Sequence, residues 1–104
     1  MNIIPEELAR WRTERSDFAI FDVREAWELE QSSLPDATHI PMQQLAADTG
    51  VVPRDRDVVL ICRSGGRSDM LADHLGTLGF TNIYSLEGGL NEWARRIDPS
   101  MKRY

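Results

Sequence analysis

Along the chain the hydrophobic pattern changes period several times, between short aliphatic or β-branched runs and segments whose apolar residues recur every three or four positions. That alternation predicts an α/β domain built on a largely parallel sheet. A first helix is expected from Pro5, whose fixed φ suits the first helical position, with Glu6 and Glu7 near the positive end of the dipole and Leu8 and Trp11 facing inward. Ala19–Val23 reads as a strand buried on both faces, followed by a short helix over Glu25–Gln31, an extended Thr38–Ile40, and a helix over Met42–Asp48 closed by Gly50.

The continuous run Val58-Val59-Leu60-Ile61 predicts a central parallel strand covered on both sides. After a turn through Cys62–Ser68, a helix starting near Ser68 follows, with Leu71, Leu75 and Leu78 on its apolar face. Gly79 supplies a left-handed cap and Phe80 the apolar contact after it. Asn82–Leu86 reads as a last strand, and Leu90, Trp93, Ala94 and Ile97 line one face of a last helix.

At 104 residues, 41% of them hydrophobic, the chain has enough apolar surface for one domain spanning residues 1–104 and too little for two. The net charge of −5 and the lack of a basic cluster argue against a nucleic-acid partner. No window approaches the roughly 20 apolar residues of a membrane span, so a soluble, cytoplasmic protein is expected. The one cysteine, Cys62, excludes an internal disulfide, a multi-thiolate zinc site and a dithiol redox motif.

Cys62 falls at the carboxyl end of the central strand, the edge where open α/β sheets bind ligands. It is followed by Arg63-Ser64-Gly65-Gly66-Arg67-Ser68. Two adjacent glycines allow backbone N–H groups to converge as an anion-binding nest, and the helix start adds its unpaired N–H groups and partial positive charge. With the guanidinium groups of Arg63 and Arg67 nearby, such a site favours a thiolate over a thiol. A lone cysteine is more often an inert core residue, but nucleophile, anion cradle, cations and helix start converge here within seven residues.

Three stretches then resemble a single-domain rhodanese, a sulfurtransferase: Asp22-Val23-Arg24-Glu25, the Cys62–Ser68 segment, and Glu87-Gly88-Gly89 followed by Trp93. The resemblance implies a rhodanese-like three-layer fold, with a mainly parallel five-stranded sheet flanked by helices and a cysteine that carries a persulfide. It also implies that Asp22 helps order the surroundings of the active site. The chain departs from the family at Ser32-Ser33-Leu34-Pro35-Asp36-Ala37, which keeps the proline and alanine of the common Gly-His-Ile-Pro-Gly-Ala but loses its histidine and glycines. Ile97–Tyr104 resembles endings of single-domain rhodaneses and of rhodanese domains fused to adenylyltransferases that load sulfur onto carrier proteins.

The expected reaction moves a sulfane sulfur from thiosulfate or another small anionic donor onto Cys62, then to a thiol, cyanide or a sulfur-carrier protein, with no cofactor beyond the covalent persulfide. Arg63 and Arg67 are both expected to receive the donor, and the backbone of Arg63–Ser68 to stabilise charge on sulfur. A cysteine phosphatase or arsenate reductase is disfavoured, because four residues separate Cys62 from Arg67 where that chemistry uses five. A non-catalytic or redox-sensing module is the alternative from another class.

Asp22 and Arg24 read more readily as a structural ion pair than as substrate contacts. His39 and His74 are expected to be partly buried structural residues, with no metal site, and Trp11, Trp27 and Trp93 to face inward. Glu87-Gly88-Gly89 is placed for a tight approach to the cysteine loop.

Overall fold

A computed structural model describes residues Met1–Tyr104. In chain order the elements are β1 (Asn2–Ile3), α1 (Pro5–Glu14), β2 (Ala19–Asp22), α2 (Ala26–Leu29), β3 (Thr38–His39), α3 (Met42–Ala47), β4 (Val58–Ile61), α4 (Gly66–Thr77), β5 (Ile83–Leu86) and α5 (Gly89–Arg96). The five strands form one sheet in the order β1-β5-β4-β2-β3, every pair parallel. β4 lies between β2 and β5, and all four of its residues are buried, as an uninterrupted aliphatic run requires.

Alternation along β4 sorts the core into two layers. Val58, Leu60 and Cys62 join Leu45 of α3 and Leu71 and Leu75 of α4, whereas Val59 and Ile61 join Leu8 of α1 and Leu90 and Trp93 of α5. Cys62 is thus the next residue in phase on the α4 side, immediately after the last strand position. Truncating one of these buried leucines to alanine costs about 2–5 kcal/mol.

The elements agree with the pattern reading in kind and differ at edges. The two-residue β1, paired with Ser85 and Leu86 of β5, is not signalled by its own sequence. Helix α4 begins at Gly66 rather than Ser68, α2 is four residues long, and Gly50 lies in a 3₁₀ turn over Thr49–Val51. Gly79 does adopt a positive φ of 92°, with Phe80 buried after it. Leu78 is 45% exposed because the helix has ended at Thr77, so its expected inward face is lost. Trp27 is 59% exposed, against the expected core position, because one turn of helix gives its inward face to Glu28 instead. His74 is exposed, whereas His39 is half-buried with Nε2 2.7 Å from the Arg24 carbonyl.

Candidate active site

Three of the parallel strands, β2, β4 and β5, deliver their carboxyl ends to one rim, and the turns that follow β4 and β5 meet there. Cys62 is 1% exposed, whereas Arg63, Ser64 and Gly66 are exposed, so the thiol lies at the bottom of its own loop. Gly65 takes φ 100° as the N-cap of α4, a conformation open to glycine and strained for other residues. That turn aims the Gly65 N–H at the sulfur, 3.1 Å from Sγ. The Ser68 hydroxyl lies 3.5 Å from Sγ, within 3.1 Å of the Gly65 carbonyl and 2.7 Å from the Ser85 hydroxyl of β5. Gly66 is helical, so the expected pair of left-handed glycines reduces to Gly65 alone.

The second glycine turn closes on the first. Gly88 and Gly89 both have positive φ, and a Cβ on Gly89 would fall 2.6 Å from the carbonyl oxygens of Cys62 and Arg63. The missing side chain lets the start of α5 bond the loop directly: the Leu90 N–H donates to the Cys62 carbonyl at 2.9 Å and the Asn91 N–H to the Arg63 carbonyl at 3.0 Å. These are helix N-terminal donors that have no partner inside α5. Glu87-Gly88-Gly89 therefore makes the tight approach its sequence suggests.

Beside the loop runs a buried charge network. Arg24 grips Asp22 through Nε at 2.9 Å to Oδ1 and Nη2 at 2.7 Å to Oδ2, and also donates to the Ser32 carbonyl at 2.7 Å. Both residues are buried, so the structural reading of this pair is the one the geometry supports. The altered Ser32–Ala37 segment is thereby tied into the site through its first carbonyl.

Arg67 forms a two-pronged pair with Glu28, each N···O distance 2.6 Å. Hydrogen bonding from Arg67 outweighs burial and holds the Glu28 carboxyl down to about 2, with the Glu25 N–H and the Tyr104 hydroxyl assisting. The same contact raises Arg67 further above its ordinary value and keeps it charged. Arg67 is thus ion-paired with Glu28, a partner that the reading of both loop arginines as donor-binding cations did not include. Arg63 has no carboxylate within ion-pair distance; its guanidinium lies 5.0 Å from the centroid of the Tyr104 ring.

Sequence reasoning missed Glu28, Ser85 and Tyr104. Glu28 had one local signal, since its carboxylate accepts the Glu25 N–H at 2.8 Å in a capping box. Tyr104 and Ser85 reach the site across the fold, Tyr104 lying 76 positions from Glu28 and Ser85 17 positions from Ser68. The largest surface hollow, about 630 Å³, is lined by residues of α1 with Pro35, Asp36, Trp93 and Ile97, and includes none of the cysteine loop.

The family model described as a rhodanese-like domain matches residues 4–96. A protein named sulfurtransferase from Allochromatium vinosum is 36% identical over 90 residues, covering 86% of this chain and 84% of that one. The probable adenylyltransferase/sulfurtransferase MoeZ of Mycobacterium tuberculosis is 32% identical over 98% of this chain, which spans only 26% of that longer protein. Among solved structures, a rhodanese-related protein from Thermoplasma volcanium superposes with a TM-score of 0.82 at 29% identity, over 92% of each chain. The parallel sheet, the glycine-braced cysteine loop at its carboxyl rim and these likenesses agree, and the chain belongs to the rhodanese-like domain family, alongside relatives named as sulfurtransferases.

Proposed function

We propose that the protein is a sulfurtransferase that carries a sulfane sulfur on Cys62. The observation that carries this reading is the Gly65 N–H directed at Sγ from 3.1 Å, on a loop whose carbonyls are locked by α5. A charge-assisted hydrogen bond of this kind is worth about 1.5–3 kcal/mol to a negatively charged sulfur. In the first step the Cys62 thiolate attacks the outer sulfur of a thiosulfate-like dianion. A Cys–S–S bond forms, the S–S bond of the donor breaks, and sulfite leaves with the electron pair. In the second step an acceptor such as cyanide or a thiolate attacks the terminal sulfur and Cys62 leaves as thiolate. In each displacement the electron pair passes from one sulfur to the next, so no redox cofactor is needed.

Arg63 is the cation that meets the donor, since Arg24 and Arg67 are already paired with Asp22 and Glu28. The loop from Cys62 to Arg67 turns back on itself tightly enough to place one N–H on one sulfur atom, which suits sulfur transfer better than a phosphate cradle. A sulfur-carrier protein is the proposed macromolecular acceptor, supported by the full-length match to part of a relative named both adenylyltransferase and sulfurtransferase. A single thiol that must stay reduced between turnovers fits a cytoplasmic setting.

The test is mass spectrometry of the protein after thiosulfate treatment, with thiocyanate release on adding cyanide. One added sulfur on Cys62, lost to cyanide and absent from Cys62→Ser, is expected. Oxygen addition in its place would mark a redox sensor, and transfer by Cys62→Ser would remove Cys62 from the chemistry altogether.

A further inference from the structure

The tail after α5 does not leave the site. Ile97 and Asp98 continue onto the Trp93 carbonyl, the Asp98 side chain caps the Ser100 N–H at 3.1 Å, and Met101 returns to the Asp98 carbonyl at 3.0 Å. Met101 packs on the α1/α5 core layer and Lys102 bonds Gln31 at 2.6 Å, which directs the chain across toward α2. Tyr104 then lands beside the cysteine loop. Its hydroxyl donates to Glu28 Oε1 at 2.9 Å and accepts from Arg24 Nη1 at 2.8 Å, and its ring meets Trp27 edge-on with centroids 6.1 Å apart. Burial, reinforced by the Glu28 carboxylate, pushes the phenol up and keeps its proton in place for that donation.

Two buried groups and one aromatic neighbour thus fix the Tyr104 ring, and the ring in turn carries the Arg63 guanidinium 5.0 Å from its centroid. An exposed arginine without such support samples many rotamers and loses that freedom when it binds an anion. A cation held over an aromatic face has given up part of that freedom before the donor arrives. Trp27, exposed and out of place as a core residue, has a reason to be there as an edge-on support for the ring.

We propose that Tyr104 is a positioning residue for the anionic donor, acting through Arg63, with Trp27 as its support. The inference rests on the sulfur-transfer reading above. Neither Tyr104 nor Trp27 touches the reacting sulfur. Removing the ring should therefore weaken donor capture more than it slows the displacement.

The experiment measures kcat and KM for thiosulfate, with cyanide as acceptor, in the full chain and in Tyr104→Ala, Tyr104→Phe, Arg63→Gln and the Arg63→Gln/Tyr104→Ala double variant. Tyr104→Ala is expected to raise KM roughly two- to fivefold with a smaller change in kcat. Tyr104→Phe, which keeps the ring face but loses the hydroxyl bonds that fix it, should raise KM less than Tyr104→Ala does. In the Arg63→Gln background the alanine substitution should add no further increase. An unchanged KM in Tyr104→Ala, equal defects in the alanine and phenylalanine variants, or additivity with Arg63→Gln would each overturn the proposal. A purely structural tail would lower the urea midpoint and kcat together and would not depend on Arg63. If the unsubstituted protein gains no sulfur from thiosulfate, it is the sulfur-transfer reading that fails, a result distinguishable from all of these.

Discussion

Two Gly-Gly turns open two helices at the same rim of the sheet, and they are held in opposite ways. The Gly65-Gly66 turn before α4 is fixed mainly by side chains: Arg67 on Glu28, Ser68 on Ser85, and Sγ on the Gly65 N–H. The Gly88-Gly89 turn before α5 is fixed by backbone, with two helix N–H groups bound to the carbonyls of Cys62 and Arg63. The difference teaches that identical dipeptides carry different demands. Gly89 is required for what a side chain would strike, Gly65 for its φ, and Gly66 for neither, since a Cβ there meets nothing within 4 Å.

The sharpest way to break this contrast is Gly89→Ala. Its Cβ would collide with backbone rather than with a movable side chain, so a loss of more than about 3 kcal/mol in urea unfolding and near-complete loss of thiocyanate formation are expected. Gly65→Ala comes next. A left-handed alanine costs about 1–2 kcal/mol, and relaxing the turn swings the N–H off sulfur, so turnover should fall at least roughly tenfold.

Glu28→Gln tests the side-chain hold, with an expected loss of about 1 kcal/mol near neutral pH, since Arg67 is partly solvated. The Glu28 carboxyl is held at about 2, below its ordinary 4.5, so its contribution is complete above pH 4.5 and lost as pH falls toward 2. Urea titrations across that window should show a slope in the parent protein that Glu28→Gln flattens. The backbone brace has nothing to titrate. The smallest effect, opposite in sign, is Gly66→Ala, which should raise stability by about 0.4–1 kcal/mol in the same measurement, as expected for a helical glycine with open space.

Much of the scaffold is legible because the sheet is buried on both sides: Val58–Ile61 has no polar residue to mislead, and its end locates Cys62 directly. β1 is different, since two residues carry no period and Asn2 and Ile3 are extended only because Ser85 and Leu86 lie beside them. Helical spacing points Trp27 and Leu78 inward, and it fails where a helix has a single turn or has already ended. The site was half readable. Cys62, Gly65 and Ser68 are consecutive enough for local chemistry to connect them. The partner that claims Arg67 lies 39 residues away, and the ring under Arg63 arrives from residue 104, distances over which sequence spacing carries no geometric information.

The hydrogen bonds from Leu90 and Asn91 to the cysteine loop also bear on how that loop can open. Cys62 has left the strand ladder by one residue, yet its carbonyl is still bonded, now to a helix whose Leu90 and Trp93 belong to the core. Exposing those two amides to deuterium exchange requires parting α5 from the end of β4, which disrupts buried packing and falls at the slow, near-global end of the opening spectrum. Slow exchange at Leu90 and Asn91 is therefore the expected mark of a cysteine loop whose opening is coupled to that of the core rather than to the surface turns.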